Sequence, residues 1–334
     1  MISPSQIGSL RDNPDSRHVR IVGTDMYAPC SGQFLTDSFY VVPSGTSADY
    51  IQKMIEICRK ESVDVLFPAS HEEGLTLSIN RKLFEDIGTK IAISRWDVLE
   101  LSFNKKEAYN RLKNLGIACP EFKVARNIDE FQAAADALGI NHKSIVMKPV
   151  LSRGGRGTRI LSQNNTVRLL LNQKPGYLEA NYQETLRALG TLEDSDFPEL
   201  ILMEYLSGQI YSVDFLAMRG KAMMIVPKVR IAGNASQTII GQVNRNKTVE
   251  DLTSKISEAF GFDYTINIEM GLTDDGYPLP FDFNPRIAAS VAFCTAAGVN
   301  LIYYALKLAL GENVPQLQVK DKVWMFRYFK EIYA

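Results

Sequence analysis

The sequence predicts an α/β protein: a parallel α/β unit at the N-terminus, then a larger part in which antiparallel strands are joined by helices. Three observations predict it. Over residues 1–102, short β-branched runs alternate with stretches of helical apolar spacing, as in strand–helix–strand units. From residue 104 onward, strand-like runs come in pairs around turn residues, as at Arg219-Gly220 and Asp275-Gly276. The chain has 334 residues, of which 46% are hydrophobic and 22% charged, enough for a large core and for two domains or one domain with a lid.

Taken in order, residues 19–23 form a short β run ending at Asp25, and 47–60 carry helical apolar spacing through Tyr50, Ile51, Met54, Ile55, Ile57 and Cys58. Residues 63–68 read as a buried strand, 72–84 as a helix and 90–94 as another strand. A parallel sheet of this kind normally opens with a strand and a glycine-rich turn. Here Met1-Ile2-Ser3-Pro4 runs straight into a helix, so either the start is truncated or the sheet lacks a strand. Ser70-His71-Glu72-Glu73 follows the strand at 63–68, where such sheets place ligands. It equally suits a helix start, with Ser70 as cap and two acids favoured by the dipole.

Residues 104–116 form an amphipathic helix carrying Lys105, 129–138 another helix, and 144–148 a strand closed by Pro149. A helix is predicted over 179–189 and a buried strand over 200–206. Strands at 211–217 and 222–226 pair around Arg219-Gly220; Lys228 and Arg230 end that run, and 233–241 read as a mobile Gly/Asn/Ser stretch. Residues 248–260 are helical, 288–310 form one apolar helix stopped by Gly311, and 324–328 a terminal strand. The apolar helix suits either a core or a homodimer face.

The net charge of −1, with no basic block, argues against nucleic acid or an anionic membrane as the main partner. Cys30, Cys58, Cys119 and Cys294 stand far apart with no CxxC, as expected of reduced thiols in a cytoplasmic protein. The N-terminus is no signal peptide, and no apolar run is long enough to span a bilayer. His18 and His142 lie in charged, loop-like surroundings and read as solvated.

Two stretches carry chemistry. In the first, 266–286, a two-residue turn at Asp275-Gly276 sets Glu269 directly opposite Asp282. Strand alternation then puts Asn267, Glu269, Asp282, Asn284 and Arg286 on one face. Ile266, Ile268, Met270, Leu279, Phe281 and Phe283 fall on the other. Like charges whose Cβ atoms sit about 5 Å apart repel unless something positive lies between them. Two carboxylates and the Asn284 carbonyl form a hard oxygen set suited to Mg²⁺; neutralisation by Arg286 or a lysine is the plainer alternative. The second stretch runs from Lys148 through Ser152-Arg153-Gly154-Gly155-Arg156-Gly157 into a strand at 158–161. Its glycines let backbone N–H groups approach phosphate oxygens while Lys148 supplies charge, although glycine-rich hairpins with arginines are common. It is neither a Walker loop nor a dinucleotide fingerprint.

In this order, the elements over about residues 19–312 resemble the ATP-grasp superfamily, in particular small proteins similar to the carbamoyl-phosphate synthase large subunit. Lys105 matches the lysine on the helix entering the grasp domain. Lys148 with Arg153, Gly154, Gly155, Arg156 and Gly157 matches the strand lysine and phosphate loop. Met203, Glu204, Tyr205 and Leu206 match the hinge strand that reads adenine, with Gly208 and Asp214 behind it. Glu269 matches the first metal-ligand position, and Asp282, Asn284, Pro285 and Arg286 the closing motif. Three departures stand out: Asp282 replaces the usual Glu, Ile210 replaces a ribose-binding Glu, and the N-terminal glycine-rich turn is missing.

The resemblance implies a pre-ATP-grasp domain over 1–102 and an ATP-grasp domain over 103–312 with a mobile lid at about 117–206, leaving 313–334 as a C-terminal strand and tail. It implies ATP and two Mg²⁺ ions, with Mn²⁺ as a substitute, held by Glu269, Asp282 and Asn284. The implied reaction joins a small-molecule carboxylate to an amine, or a thiol, through an acyl phosphate. Arg286, Arg230 and Lys148 are its catalytic candidates; Arg230 also reads as a solvated strand end. Two other readings are a carbamate or carboxylate kinase and a nucleotide-binding regulator without chemistry.

Overall fold

The computed structural model describes residues 4–151, 155–164, 166–167, 171, 178–233, 238–328 and 330–333. Helix α1 (Pro4–Arg11) leads into β1 (Val22–Asp25), which pairs in parallel with β2 (Ser38–Val41). Helix α2 (Tyr50–Glu61) buries Tyr50, Met54, Ile55, Ile57 and Cys58 along one stripe. A second parallel pair follows, β3 (Val65–Leu66) with β4 (Lys90–Ile91), so the parallel unit comprises two separate small sheets. The helix expected over 72–84 is two, α3 (His71–Ile79) and α4 (Arg81–Glu85). Asn80 breaks them, because its side-chain amide takes the Thr76 carbonyl at 2.9 Å and competes with the helix ladder.

Helix α5 (Trp96–Phe103) passes to α6 (Lys105–Asn114), capped by Asn104, whose side chain accepts from Glu107 N. Lys105, Ala108, Tyr109 and Leu112 share the buried stripe of α6, which aims Lys105 inward. A five-stranded sheet comes next, in the order β5-β9-β6-β7-β8. Its strands are β5 (Phe122–Ala125), β6 (Ile145–Pro149), β7 (Arg159–Ser162), β8 (Glu179–Asn181) and β9 (Leu200–Glu204). Helices α7 (Ile128–Ala137) and α8 (Tyr182–Leu189) cover it around Phe131, Ala135, Leu161, Tyr182 and Leu202.

The largest element is a six-stranded sheet in the order β14-β13-β10-β11-β12-β15. Strands β10 (Ile210–Met218) and β11 (Lys221–Gly233) meet at Arg219-Gly220, both in the left-handed region as a type I′ turn requires. β11 does not end at Lys228 and Arg230 but runs through them, because each charge finds a carboxylate on the same sheet, Asp214 on the adjacent β10 and Glu269 one strand further on β13. Of the stretch read as mobile, residues 238–241 belong to β12 (Thr238–Val243), while 234–237 lie outside the described residues. β12 also pairs with β15 (Trp324–Phe326).

Helix α9 (Lys247–Phe260) packs Val249, Leu252, Ile256 and Phe260 against Phe215, Ile266, Ile268 and Phe283 of this sheet. Strands β13 (Tyr264–Leu272) and β14 (Pro278–Asn284) form the hairpin at one edge. The single helix expected over 288–310 is two, α10 (Ala292–Ala296) and α11 (Leu301–Ala309). Gly298 turns left-handed between them, and Asn300 caps the second by accepting from Tyr303 N.

Candidate active site

The hairpin fixes the centre of the site. Asn267 faces Asn284 and Glu269 faces Asp282 across β13 and β14. The turn differs from the expected two-residue form. Three residues, Asp274, Asp275 and Gly276, sit between the bonded pair Thr273 and Tyr277, with Gly276 left-handed. That alone would shift every partner by one. A bulge at Phe281 adds the missing residue and restores the register beyond Met270. The bulge also brings Phe281, which still packs against the core, to the cleft wall and takes its carbonyl off the ladder. Two donors claim that carbonyl: Lys148 Nζ at 2.7 Å and Tyr109 Oη at 2.7 Å.

Four cations converge on the two carboxylates from different elements. Lys105 Nζ of α6 lies 3.4 Å from Asp282 Oδ1, and Arg230 Nη2 of β11 lies 3.0 Å from Glu269 Oε1. Lys148 of β6 is almost wholly buried, its Nζ 3.0 Å from Tyr109 Oη and 5.5 Å above the Tyr109 ring. Arg286, beyond β14, donates to the Ile287 carbonyl at 3.0 Å and lies 3.5 Å from Asn284 Oδ1. Asn284 in turn donates to Asp282 Oδ2 at 3.0 Å. The acidic pair is thus neutralised by Arg230 and Lys105.

Burial at this depth separates the titrations. Desolvation pushes the Lys148 ammonium down to about 7, and the charge of Lys105 adds to it against the pull of Asp282 and Glu269. Desolvation also raises the Glu269 carboxyl despite Arg230. It acts on Asp282 too, but there Lys105, Lys148, the Asn284 amide and His71 outweigh it and hold the carboxyl below its ordinary value.

A cleft of about 740 Å³ lies between the five-stranded and six-stranded sheets. Lys105, Lys148, Arg230, Glu269, Asp282, Asn284 and Arg286 line it, as do Met203, Glu204, Tyr205 and Leu206 on its hinge side. Gly208 is required there: a Cβ would sit 2.4 Å from the Leu272 carbonyl oxygen. Gly155 also lines the cleft. Gly155 and Gly157 adopt left-handed backbone, and a Cβ on Gly157 would meet Pro149 at 2.7 Å. Arg156 is exposed and borders a second cavity instead. Arg153 and Gly154 lie outside the described residues. Asp214 is set apart from the cleft. Its carboxylate is taken by Lys228, by Asn267 Nδ2 at 2.6 Å and by the Cys294 thiol at 3.4 Å. Among the described residues no three His, Cys, Asp or Glu side chains form a metal cluster; the oxygen set is two carboxylates and an amide.

Two further residues reach the site: Tyr109, which had no functional assignment in the sequence, and His71, whose stretch read either as a ligand position beyond a strand end or as a helix start. Tyr109 looks like one more apolar position on α6. His71 follows Ser70, and the capping box is real: Glu73 N donates to Ser70 Oγ at 3.2 Å and Ser70 N to Glu73 Oε2 at 3.0 Å. The imidazole, however, stacks on Phe103 at 4.3 Å and reaches the cleft, with Nε2 buried and unpartnered among the described residues. Burial first, then Arg286, takes its pKa down to about 4.

Comparison with known proteins agrees with this geometry. Residues 196–332 match the family described as ATP-grasp in the biosynthetic pathway with Ter operon, and residues 11–92 match a PylC-like N-terminal domain. The carbamoyl phosphate synthase large chain of Archaeoglobus fulgidus is 24% identical over 252 residues, 74% of this chain and 22% of that protein. The N-terminal section of the Aquifex aeolicus large chain is 22% identical over 303 residues, 85% of this chain and 50% of that protein. The chain therefore spans half or less of the length of these relatives. Two solved structures share the fold. One is the biotin carboxylase domain of Hydrogenobacter thermophilus 2-oxoglutarate carboxylase in complex with MgADP and bicarbonate, at TM-score 0.67, 16% identity, 96% of this chain and 70% of that one. The other is the ADP complex of N5-carboxyaminoimidazole ribonucleotide synthetase, at TM-score 0.68, 13% identity, 96% of this chain and 78% of that one. Two family matches, and a cleft framed by the lysines, glycines and acids described above, lead to one assignment: residues 196–332 match an ATP-grasp family, and the chain has the ATP-grasp fold.

Proposed function

We propose that the chain is an ATP-dependent ligase that activates a small carboxylate as an acyl phosphate and transfers it to an amine, releasing ADP and phosphate. The observation that carries this reading is the opposed pair Glu269 and Asp282, ringed by Lys105, Lys148, Arg230 and Arg286 at the floor of a cleft of about 740 Å³. Phosphoryl transfer asks a protein for position and charge rather than covalent help, and this ring offers both. In this reading Met203, Glu204, Tyr205 and Leu206 hold the adenine. Lys105 and Lys148 neutralise phosphate oxygens, and Arg286 and Arg230 hold the carboxylate and the transferring group. The five-stranded sheet, with Gly155, Arg156 and Gly157, serves as a lid over about 117–206 that excludes water from the acyl phosphate. Domains over 1–102 and 103–312, with 313–334 as tail, and a cytoplasmic setting complete the proposal.

Glu269, Asp282 and Asn284 supply hard oxygen donors at the spacing of a strand pair, a set that fits Mg²⁺, two ions of which would stabilise charge on a triphosphate. Asp282 remains ionised and Glu269 is reached by Arg230, which must release it when an ion enters. The test is ADP release with pooled carboxylates and amines. Asp282→Asn should lower turnover about a hundredfold or more and raise the Mg²⁺ requirement. Unchanged turnover in that variant would remove the pair from the mechanism. The likeness to carbamoyl phosphate synthase chains supports a second reading, phosphorylation of a carbamate or carboxylate without ligation. Released acyl or carbamoyl phosphate with no amide product would select it.

A further inference from the structure

Asp214 and Lys228 form an ion pair almost wholly buried behind the cleft wall. A buried pair adds little to stability, because desolvation offsets the attraction, so its place in the fold calls for another reason. The hydrogen bonds around it supply one. The Asp214 carboxylate only accepts, and Lys228 Nζ, Asn267 Nδ2 at 2.6 Å and the Cys294 thiol at 3.4 Å all donate to it. Two of these donors also reach a serine. Lys228 Nζ lies 2.9 Å from Ser290 Oγ, and Asn267 Nδ2 lies 2.9 Å from Ser212 Oγ.

The direction of both bonds is fixed. An ammonium has no lone pair, so Ser290 Oγ accepts from Lys228. The carboxylate repels an amide oxygen and keeps the Asn267 nitrogen toward itself, so Ser212 Oγ accepts as well. Each hydroxyl then still has its own proton to give. Among the described residues neither serine has an acceptor for it, and both serines line the cleft. The mount of Ser290 is firm. Gln6 Nε2 donates to the Ala288 carbonyl at 3.0 Å and Arg327 Nη2 to the Ala289 carbonyl at 3.2 Å. Three consecutive loop residues are thus pinned from α1, β15 and β11.

Strand register tells which part of a ligand these protons meet. Along β10, Ile210 comes first after the hinge, Ser212 stands opposite Glu269, and Asp214 opposite Asn267. Counted from the hinge, Ser212 is level with the acid pair, and Lys228 reaches past it to Asp214 beside Ser290. A triphosphate entering from the hinge ends at the acid pair, so the two hydroxyls face what lies beyond it.

We infer that Ser212 and Ser290 bind an oxygen of the carboxylate substrate, and that Asp214, acting through Lys228 and Asn267, positions their protons for it. The identity of the anion rests on the ligase reading. Two neutral donors suit an oxyanion and give nothing to a protonated amine, so this end of the cleft selects the acid rather than its acceptor.

The test titrates acetate into the protein together with Mg²⁺ and a nonhydrolysable ATP analogue, and follows the broadening of the acetate methyl signal by NMR. Ser290→Ala loses a bond to a charged group and should weaken acetate about tenfold or more, with nucleotide affinity within about twofold and melting within about 3 °C of the parent. Ser290→Thr keeps the hydroxyl and should restore binding. Lys228 is tested as a positioning residue. Lys228→Gln can turn its side-chain oxygen to Ser290 and reverse the hydroxyl, so acetate should weaken again, whereas Lys228→Arg only donates and should retain it. Equal acetate affinity in the parent and Ser290→Ala, or no bound acetate in either, would overturn the substrate contact. A loss confined to the nucleotide would assign the hydroxyls to the triphosphate and overturn it too. Matching acetate affinities in the two Lys228 variants would overturn the positioning step. Acetate binding that depends on Ser290, without ADP release for any acid, would uphold this contact while the ligase reading fell.

Discussion

Lys148 condenses the chemistry of the site into one side chain. Its ammonium sits between two oxygens, Tyr109 Oη and the Phe281 carbonyl, so deeply that burial brings its pKa to about 7 from an ordinary 10.5. Between those values the unfolded chain keeps a proton that the folded chain sheds, so stability of the nucleotide-free protein should rise with pH. The limiting slope is about 1.4 kcal/mol per pH unit, and Lys148→Met should flatten it. Denaturant unfolding at pH 7, 8 and 9 measures this; parallel curves for both proteins would mean Lys148 keeps its proton when folded. His71 adds a second limb of the same sign between about 4 and 6.5, where acidification protonates the unfolded chain first. At this scale the sequence was partly legible. Glu269, Asp282, Lys105 and Lys148 could be read because alternation and helical spacing place them locally. Tyr109 could not, because its importance comes from Lys148 and Phe281, far away in the chain; His71 was open between a ligand position and a helix start, because Phe103 and Arg286, also distant, set its surroundings.

Among the elements, the β13–β14 hairpin shows how a local rule can give the right pair through the wrong turn. A two-residue turn and a three-residue turn followed by a bulge both set Glu269 against Asp282, and only the second frees the Phe281 carbonyl for Lys148. Helix breaks at Asn80 and Gly298 escaped because apolar spacing runs straight through them; one side-chain hydrogen bond or one left-handed glycine decides. The hinge segment carries the clearest steric demand. Gly208 packs against the Leu272 carbonyl, so Gly208→Ala must push β10 and β13 away from the strand that ends at Glu204. The expected cost is about 2 kcal/mol, with weaker nucleotide binding because Met203, Tyr205 and Leu206 move with the hinge. Thermal unfolding and a fluorescent-nucleotide titration together test it, and an alanine variant as stable as the parent would show that the hinge yields without cost.

In the molecule as a whole, the sheet orders were beyond the reach of sequence. The β10–β11 hairpin could be read locally, but nothing in the spacing says that β10 also pairs with β13, or β6 with β9, since those pairings join strands far apart in the chain. They matter because the cleft is built between the two sheets, with Lys148 from one and Glu269 and Asp282 from the other. A ligand that touches both must couple them. A nonhydrolysable ATP analogue with Mg²⁺ at a hundred times its Kd should therefore add about 2.7 kcal/mol to stability, and chelation of the metal should remove most of that gain. Exchange protection should appear in β6, β7 and β9 and in β13 and β14. It should be weaker in β1 to β4, which lie near the cleft mainly through His71 beside Arg286. Equal stabilisation with and without chelator would detach the carboxylate pair from the metal. Protection confined to one sheet would mean that the nucleotide binds without joining the two halves, and the lid role of the five-stranded sheet would fall with it.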